Sequence, residues 1–186
     1  MQKVSHALLA RTLLEGQNGF QKKRFELAFL FGSFQPDCNP LSYLKGSLRG
    51  RKFGGHNFSN SERYIDSRIA RLSRRATWRM WQYYTLGKLT HYLADAFTFP
   101  HNETFRENMA AHCRYEFILR SRFSEYLKDC APERGQARAD LAGACRELHR
   151  QYLANGSNWQ RDSSYILRAT EMLMDSLLPR PAASFA

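Results

Sequence analysis

Apolar residues recur at helical spacing along most of the chain, and this periodicity excludes most fold classes. In the C-terminal third, Leu141, Cys145, Leu148 and Tyr152 lie three or four positions apart, as on one face of a helix. No segment shows the strict alternation that is typical of a half-buried strand, so the sequence predicts an all-α protein. Four predicted helices cover residues 5–14, 22–31, 77–97 and 102–128. Another runs from a cap at Ser59 or Asn60 to residue 73. Two more close the chain, one with the apolar stripe just given and the other with the stripe Ile166, Ala169, Leu173 and Leu177.

A long segment between the second and third predicted helices is rich in glycine, proline, asparagine and serine. We interpret residues 32–55 as a loop with one helical turn at 41–44. Loops of this length inside a compact domain are commonly functional. The chain has 186 residues and neither an internal repeat nor a low-complexity linker, so we predict a single domain over residues 1–186.

The balance of charges favours a partner that carries phosphates. Lys and Arg number 28 against 17 Asp and Glu, which gives a formal net charge of +11. Charge alone does not distinguish nucleic acid from lipid head groups. Basic residues concentrate at 22–24 and at Arg68, Arg71, Arg74 and Arg75, where they could contact an anionic membrane, although a solvated helix face is the alternative. Because no nucleic-acid-binding motif accompanies them, nucleic acid is the less favoured partner.

Cysteine usage and hydropathy lead to an expectation about the compartment. The four cysteines form no CxxC pair and no dense disulfide framework, which suits a reducing environment. No apolar run approaches the roughly 20 residues needed to span a bilayer, and we identify no signal peptide. We therefore expect a cytoplasmic protein that can contact membranes peripherally.

Two pairs of histidine and carboxylate residues lie four positions apart on predicted helices. His91 and Asp95 form one pair, and His112 and Glu116 form the other. At this spacing the two side chains share a helix face, with Cβ atoms about 5–6 Å apart. Placing such groups on an inward stripe costs several kcal/mol unless each is paired or bound to a cation. The pairs therefore indicate either a metal site or buried histidine–carboxylate hydrogen bonds without metal.

Other histidines and acids converge on the same region. His101 follows the helix stop at Pro100, while Asp37 and His56 flank the long loop. Imidazoles and carboxylates without organised cysteines suit zinc, with manganese or iron as alternatives. His149 lies one position off its apolar stripe, so we interpret it as a solvated surface residue.

The ordered pattern His91-xxx-Asp95, Pro100-His101 and His112-xxx-Glu116 resembles the bacterial zinc-dependent phospholipases C and, more distantly, the fungal single-strand nucleases. The resemblance covers about residues 1–130 and implies a compact multi-helix domain with a metal site between helices. It implies two or three zinc ions and places Phe53 near the lipid head group. The implied ligands are Asp37, His56, His91 and Asp95 for a first zinc, His101, His112 and Glu116 for a second, and His6 with bridging Asp95 for a third.

The same resemblance implies a phosphodiester hydrolase. The substrate would be a phospholipid such as phosphatidylcholine, cleaved by a zinc-activated water with Asp37 as ligand or proton acceptor. The alternatives are a single-strand nuclease with the same metal cluster and a zinc-binding scaffold without catalysis. The secreted enzymes complete their third site with an N-terminal tryptophan, whereas this sequence begins with Met1, so the surroundings of His6 decide whether that site is complete.

Overall fold

The computed structural model describes residues 1–15, 17, 19–38, 58–130, 137–154 and 156–179, except for the side chains of residues 59 and 60. In these residues the chain forms α-helices, one short 3-10 turn and no strand, which confirms the predicted all-α class. The helices are α1 (Lys3–Leu14), α2 (Lys23–Cys38), α3 (Phe58–Ser73), α4 (Met80–Ala96), α5 (Met109–Asp129), α6 (Leu141–Leu153) and α7 (Trp159–Leu177), and the 3-10 turn Phe99–His101 lies between α4 and α5.

Helix α4 is the centre of the fold. Helices α1, α2, α3 and α7 all pack on it, while α5 and α6 pack mainly on α7 and on the outer helices. Its residues Leu86, Leu89 and Leu93 are at most 1% exposed, and each such side chain contributes about 1.5–3 kcal/mol by leaving water. A helix that is surrounded on several sides can carry polar side chains into the interior of the protein.

Helices α2 and α4 cross with their backbones in contact, and the contact is made by glycines. A side chain on Gly32 would overlap the carbonyl group of Tyr84, and one on Gly87 would overlap the carbonyl oxygen of Phe29. The prediction that the second helix ends at Gly32 was therefore wrong, because this glycine serves the helix crossing and does not end the helix. Helix α2 continues to Cys38, so Asp37 is helical, and the remainder of the predicted loop, 39–55, lies outside the described residues.

The starts of several other helices differ from the predicted ones: α1 begins at Lys3 rather than residue 5, and α4 begins at Met80 rather than residue 77. Helix α5 begins at Met109, after the side chain of Asn108 accepts a hydrogen bond from the Ala111 amide. The predicted start, Asn102, is buried instead and donates its side-chain amide to the carbonyls of Ala96 and Thr98. Helix α3 begins at Phe58, so positions 59 and 60 belong to its first turn.

Helices α6 and α7 complete the bundle. Each is capped by a side chain, Asp140 for α6 and Asn158 for α7, as is expected of helix starts with these residue types. All four cysteines lie in the described part and are free thiols. None of the described helices combines the length and the hydropathy needed to cross a bilayer.

His149 is buried, so its interpretation as a solvated residue was wrong. It is 6% exposed and stacks on Phe58 with ring centroids 3.8 Å apart. Its Nε2 lies 2.9 Å from Asn102 Oδ1 and 3.1 Å from the Ala96 carbonyl oxygen. Because a carbonyl oxygen can only accept, Nε2 carries the proton and donates it. Burial lowers the pKa of His149 to about 4, although the hydrogen bond to Ala96 opposes this shift.

We expect this buried histidine to make stability depend on pH. Its pKa is about 6.5 in the unfolded chain and about 4 in the folded protein, so between these values the unfolded chain binds more protons. Above about pH 6.5 His149 therefore does not reduce the free energy of unfolding. As the pH decreases to 4, its titration lowers this free energy by about 3 kcal/mol. Urea unfolding across this range should show a steeper decrease for the wild type than for His149→Gln, which keeps a donor without a titrating ring. Parallel decreases would exclude His149 as the cause.

Candidate metal centre

Histidines and carboxylates from α1, α2, α4, the 3-10 turn and α5 converge beside the glycine crossing. Helix α4 supplies two of them, His91 and Asp95, which are buried with 0% exposure. Among the described residues two groups could each hold a metal ion. The first group is His6, His91 and Asp95, and the second is His101, His112 and Glu116.

The first group is fully buried around the Asp95 carboxylate. His6 Nε2 lies 3.1 Å from Asp95 Oδ1, and His91 Nε2 lies 3.4 Å from Asp95 Oδ2. The two imidazoles stack with centroids 3.8 Å apart. Asp37, from the last turn of α2, lies 3.6 Å from His91 Nε2 and 3.9 Å from His6 Nε2. The extension of α2 beyond Gly32 is therefore what brings Asp37 to this group.

A backbone carbonyl fixes the orientation of His91. Its Nδ1 lies 2.9 Å from the carbonyl oxygen of Ser33, so Nδ1 carries the proton and donates it. The other nitrogen, Nε2, is then unprotonated in the neutral ring and faces Asp95 and Asp37. Metal-binding histidines commonly show this arrangement, in which a second hydrogen bond sets the tautomer and the ring direction. The glycine crossing makes it possible, because it brings α2 close enough to α4.

The second group is half-buried at the start of α5. His101 Nε2 lies 3.0 Å and His112 Nε2 lies 3.4 Å from Glu116 Oε1. His101 also turns Nδ1 toward Asp95 Oδ2 at 3.8 Å, so it links the two groups. On this helix Leu119 and Phe123 face inward and are 0% exposed, whereas Met109 is 51% exposed.

The α-amino group of Met1 lies between the two groups. It is 2.7 Å from Asp95 Oδ1, 2.9 Å from Glu116 Oε1 and 2.9 Å from His101 Nε2. Burial alone would lower the pKa of this ammonium, but the carboxylates of Asp95 and Glu116 raise it above its ordinary value. A cation thus occupies the space that both groups face.

The carboxylates at the centre are held in their charged form. Burial would raise the pKa of Asp95, yet the Met1 ammonium and the imidazoles of His101, His6 and His91 hold that pKa well below its usual range. Burial opposes ionisation of Glu116 as well, but hydrogen bonds from His101 and His112 lower its pKa. The pKa of His101 is lowered by burial and by the Met1 ammonium. The centre therefore offers charged carboxylates and a neutral imidazole at His101, which are the ligand forms that a metal requires.

The turn that carries His101 is anchored by a residue that sequence reasoning missed. Asp162, in the first turn of α7, is 0% exposed and accepts hydrogen bonds from the Phe99 amide at 2.9 Å and from the Tyr115 hydroxyl at 2.7 Å. The hydroxyls of Tyr152 and Ser157 donate to its other oxygen at 2.8 and 2.6 Å. Since Tyr115 precedes Glu116, this carboxylate ties α7 to both elements of the second group. An acid in the first turn of a helix is common, so its type and position alone would not reveal this role.

The donor atoms fit zinc in type and spacing. Ligands that share a tetrahedral zinc at about 2.0–2.2 Å lie roughly 3.3–3.6 Å from one another. The contacts of Asp95 with His91 and of Glu116 with His112 are 3.4 Å, within this range, and those of Asp95 with His6 and of Glu116 with His101 are slightly shorter, at 3.1 and 3.0 Å. The ammonium of Met1 shows, in addition, that the space between the groups accommodates positive charge.

The structure brings together most of the residues that the sequence predicts for this site. His6, Asp37, His91 and Asp95 surround one position, and the other group surrounds a second position nearby. His56 and Phe53 lie outside the described residues. Phe58, at the start of α3, packs on His149.

Fold and site together define an all-α protein with a metal centre of histidines and carboxylates. Residues 5–159 match the family described as zinc dependent phospholipase C. The chain therefore belongs to the zinc-dependent phospholipase C family, as the resemblance predicted. No curated protein and no solved structure matches the chain significantly. At the level of the family, this is a zinc-dependent hydrolase of the phospholipase C type.

Proposed function

We propose that the protein hydrolyses the phosphodiester bond of a phospholipid at a zinc centre. The observation that carries this proposal is the position of Asp95 between the two groups. Its Oδ1 faces His6, while its Oδ2 faces His91 and His101. A carboxylate whose two oxygens face different sets of nitrogen ligands is suited to bridge neighbouring metal ions.

The proposed ligands follow from this arrangement. Asp37, His91 and Asp95, with His56, would hold the first zinc, and His101, His112 and Glu116 the second. His6 and Asp95 would contribute to a third site. In a chain whose first residue is Met1, the α-amino nitrogen would be a further ligand for that site once it has lost a proton, because it lies 2.7 Å from Asp95 Oδ1.

Bound zinc supplies Lewis-acid chemistry, since it acidifies water and neutralises phosphoryl oxygens. The side chains of the protein provide the rest. Ser33 orients His91, and Asp162 anchors the turn that carries His101. Asp37 is 15% exposed, in contrast to the fully buried Asp95, and we assign it the role of accepting a proton from an attacking water.

A comparison of substrate classes tests the proposed function. We expect zinc-loaded protein to release diacylglycerol from phosphatidylcholine. A chelator should abolish this activity, and zinc added afterwards should restore it. His91→Ala should lose it, because the variant removes a buried ligand and the hydrogen bond to Ser33. The assay should include a soluble chromogenic phosphodiester and single-stranded DNA.

The pattern of turnover separates the alternatives. Cleavage of DNA without cleavage of phospholipid would overturn the proposal in favour of a nuclease. Bound zinc without turnover on any substrate would overturn it in favour of a non-catalytic scaffold.

A further inference from the structure

Four neighbouring aromatic rings, two of them exposed and two half-buried, form a continuous surface across α2 and α4, on the part of these helices that precedes the metal centre. Phe31 is 53% exposed and Trp81 is 64% exposed. The ring of Tyr84 lies between them, with centroids 5.9 Å from Phe31 and 5.0 Å from Trp81. Phe34 extends the series at 5.7 Å from Phe31. We call these four rings the aromatic surface.

The geometry of the helix crossing explains why the rings form one surface. On α2, Leu27, Phe31 and Phe34 follow one another at spacings of four and three, and Leu27 is also 57% exposed. On α4, Trp81 and Tyr84 are three apart. The glycine contact brings the two helices together, so the outward stripes of both become neighbours. Large exposed apolar side chains that are contiguous in this way commonly mark an interaction site.

Cationic side chains surround the aromatic surface. Lys88 Nζ lies 5.9 Å from the ring centroid of Tyr84 and 5.5 Å from that of Tyr64. Lys3 Nζ lies 5.3 Å from the ring centroid of Phe34. These distances are in the range of cation–π contacts, so the ammonium groups stay beside the rings.

A groove between α3 and α4 adds arginines next to Trp81. The described residues that line it include Arg68, Arg71 and Arg75 together with Trp81, and none of the lining residues is acidic. Arg68 and Arg71 are three apart on α3, and Arg75 lies two residues past the end of this helix, yet all three line the same groove. Guanidinium groups bind phosphate oxygens through paired hydrogen bonds, which makes such a groove suited to phosphate groups.

We propose that the aromatic surface and the arginine groove dock the protein onto an anionic phospholipid membrane. Tryptophan and tyrosine favour the interface between lipid and water, where the rings would lie among the head groups. The arginines would contact lipid phosphates at the same depth. The net charge of +11 complements an anionic membrane surface. This docking goes beyond the proposed hydrolysis and does not depend on it, because none of these residues belongs to the metal centre.

Vesicle sedimentation with the full chain tests the docking. We expect the protein to sediment with vesicles of equimolar phosphatidylcholine and phosphatidylglycerol, and much less with phosphatidylcholine alone. The triple variant Arg68→Gln, Arg71→Gln, Arg75→Gln should bind on the order of 100-fold more weakly, and Trp81→Ala about tenfold more weakly. All these variants should keep the wild-type rate on a soluble chromogenic phosphodiester.

A matched triple variant controls for net charge. Lys128→Gln, Arg138→Gln and Arg168→Gln remove the same charge from exposed positions on or near α5, α6 and α7. This variant should keep most of the binding, and an equal loss in both triples would overturn the docking surface. So would binding of a single-stranded oligonucleotide that depends on the groove arginines without any vesicle binding. Vesicle binding that needs the groove, with no turnover of phospholipid or of the soluble substrate, would support the docking while contradicting the proposed hydrolysis.

Discussion

Replacing Asp95 by asparagine is expected to reduce phospholipid hydrolysis on the order of a thousandfold, because a metal ion contributes several kcal/mol to catalysis and each tenfold in rate is about 1.4 kcal/mol. The substitution keeps the shape of the side chain but removes the negative charge that both histidine groups face. We also expect the variant to bind less zinc than the wild type. Initial rates of diacylglycerol release and the zinc content of the same samples give the measurement.

A second aspartate provides the matched control for this substitution. Asp66 on α3 is 37% exposed, so it is far less buried than Asp95, and it pairs with Arg146 of α6. Asp66→Asn should hydrolyse phospholipid within about twofold of the wild-type rate, because Asp66 is not one of the candidate metal ligands. Its exposed ion pair also contributes at most about 1 kcal/mol to stability. Circular dichroism should show that both variants remain helical. A folded Asp95→Asn protein with wild-type rate and zinc content would contradict the role of Asp95 as a ligand.

Replacing Gly87 by alanine is expected to have the largest effect on the fold. The added methyl group would overlap the Phe29 carbonyl oxygen, and backbone atoms of Gly32 and Ser33 lie close behind it. Helices α2 and α4 would have to separate, and overpacking of this kind costs about 1–3 kcal/mol or more. Separation would also draw the Ser33 carbonyl away from His91, so zinc affinity should decrease together with stability. Urea unfolding and a zinc titration measure the two effects.

Gly143 on α6 is the corresponding control. A methyl group there would push away the Asp140 side chain that caps α6, which costs about 1 kcal/mol. Alanine is favoured over glycine inside a helix by about the same amount, so the two effects offset each other. Gly143→Ala should therefore change the free energy of unfolding by less than about 1 kcal/mol. Similar effects of the two substitutions would show that the α2–α4 backbone contact does not govern stability.

The fold class and the spacing of the ligands could be predicted because both depend on local periodicity. His91 and Asp95 share a helix face whatever surrounds them, and the same holds for His112 and Glu116. The local spacing could not predict how close these residues lie to Asp37, because that depends on α2 continuing past Gly32. A glycine near the end of an apolar stripe usually indicates a helix end, and only the partner helix shows that this one serves a close crossing.

Buried polar residues outside the ligand set were the ones that sequence patterns could not identify. His149 lies beside its apolar stripe, and it is buried because Phe58 and Asn102 pack against it from other elements. The role of Asp162 could not be predicted for the same reason, because its hydrogen-bond donors Phe99 and Tyr115 are distant in sequence. Both hold the region around His101, so part of the support for the metal centre comes from contacts that only the tertiary structure reveals.

Elemental analysis of protein purified without chelator tests the central claim most directly. The two groups of histidines and carboxylates predict at least one zinc ion for each group, that is, two or more per chain. Asp95→Asn, measured in parallel, should contain less. Less than one zinc per chain in the wild type, after exposure to excess zinc and removal of the unbound metal, would contradict the assignment of this site as a zinc centre.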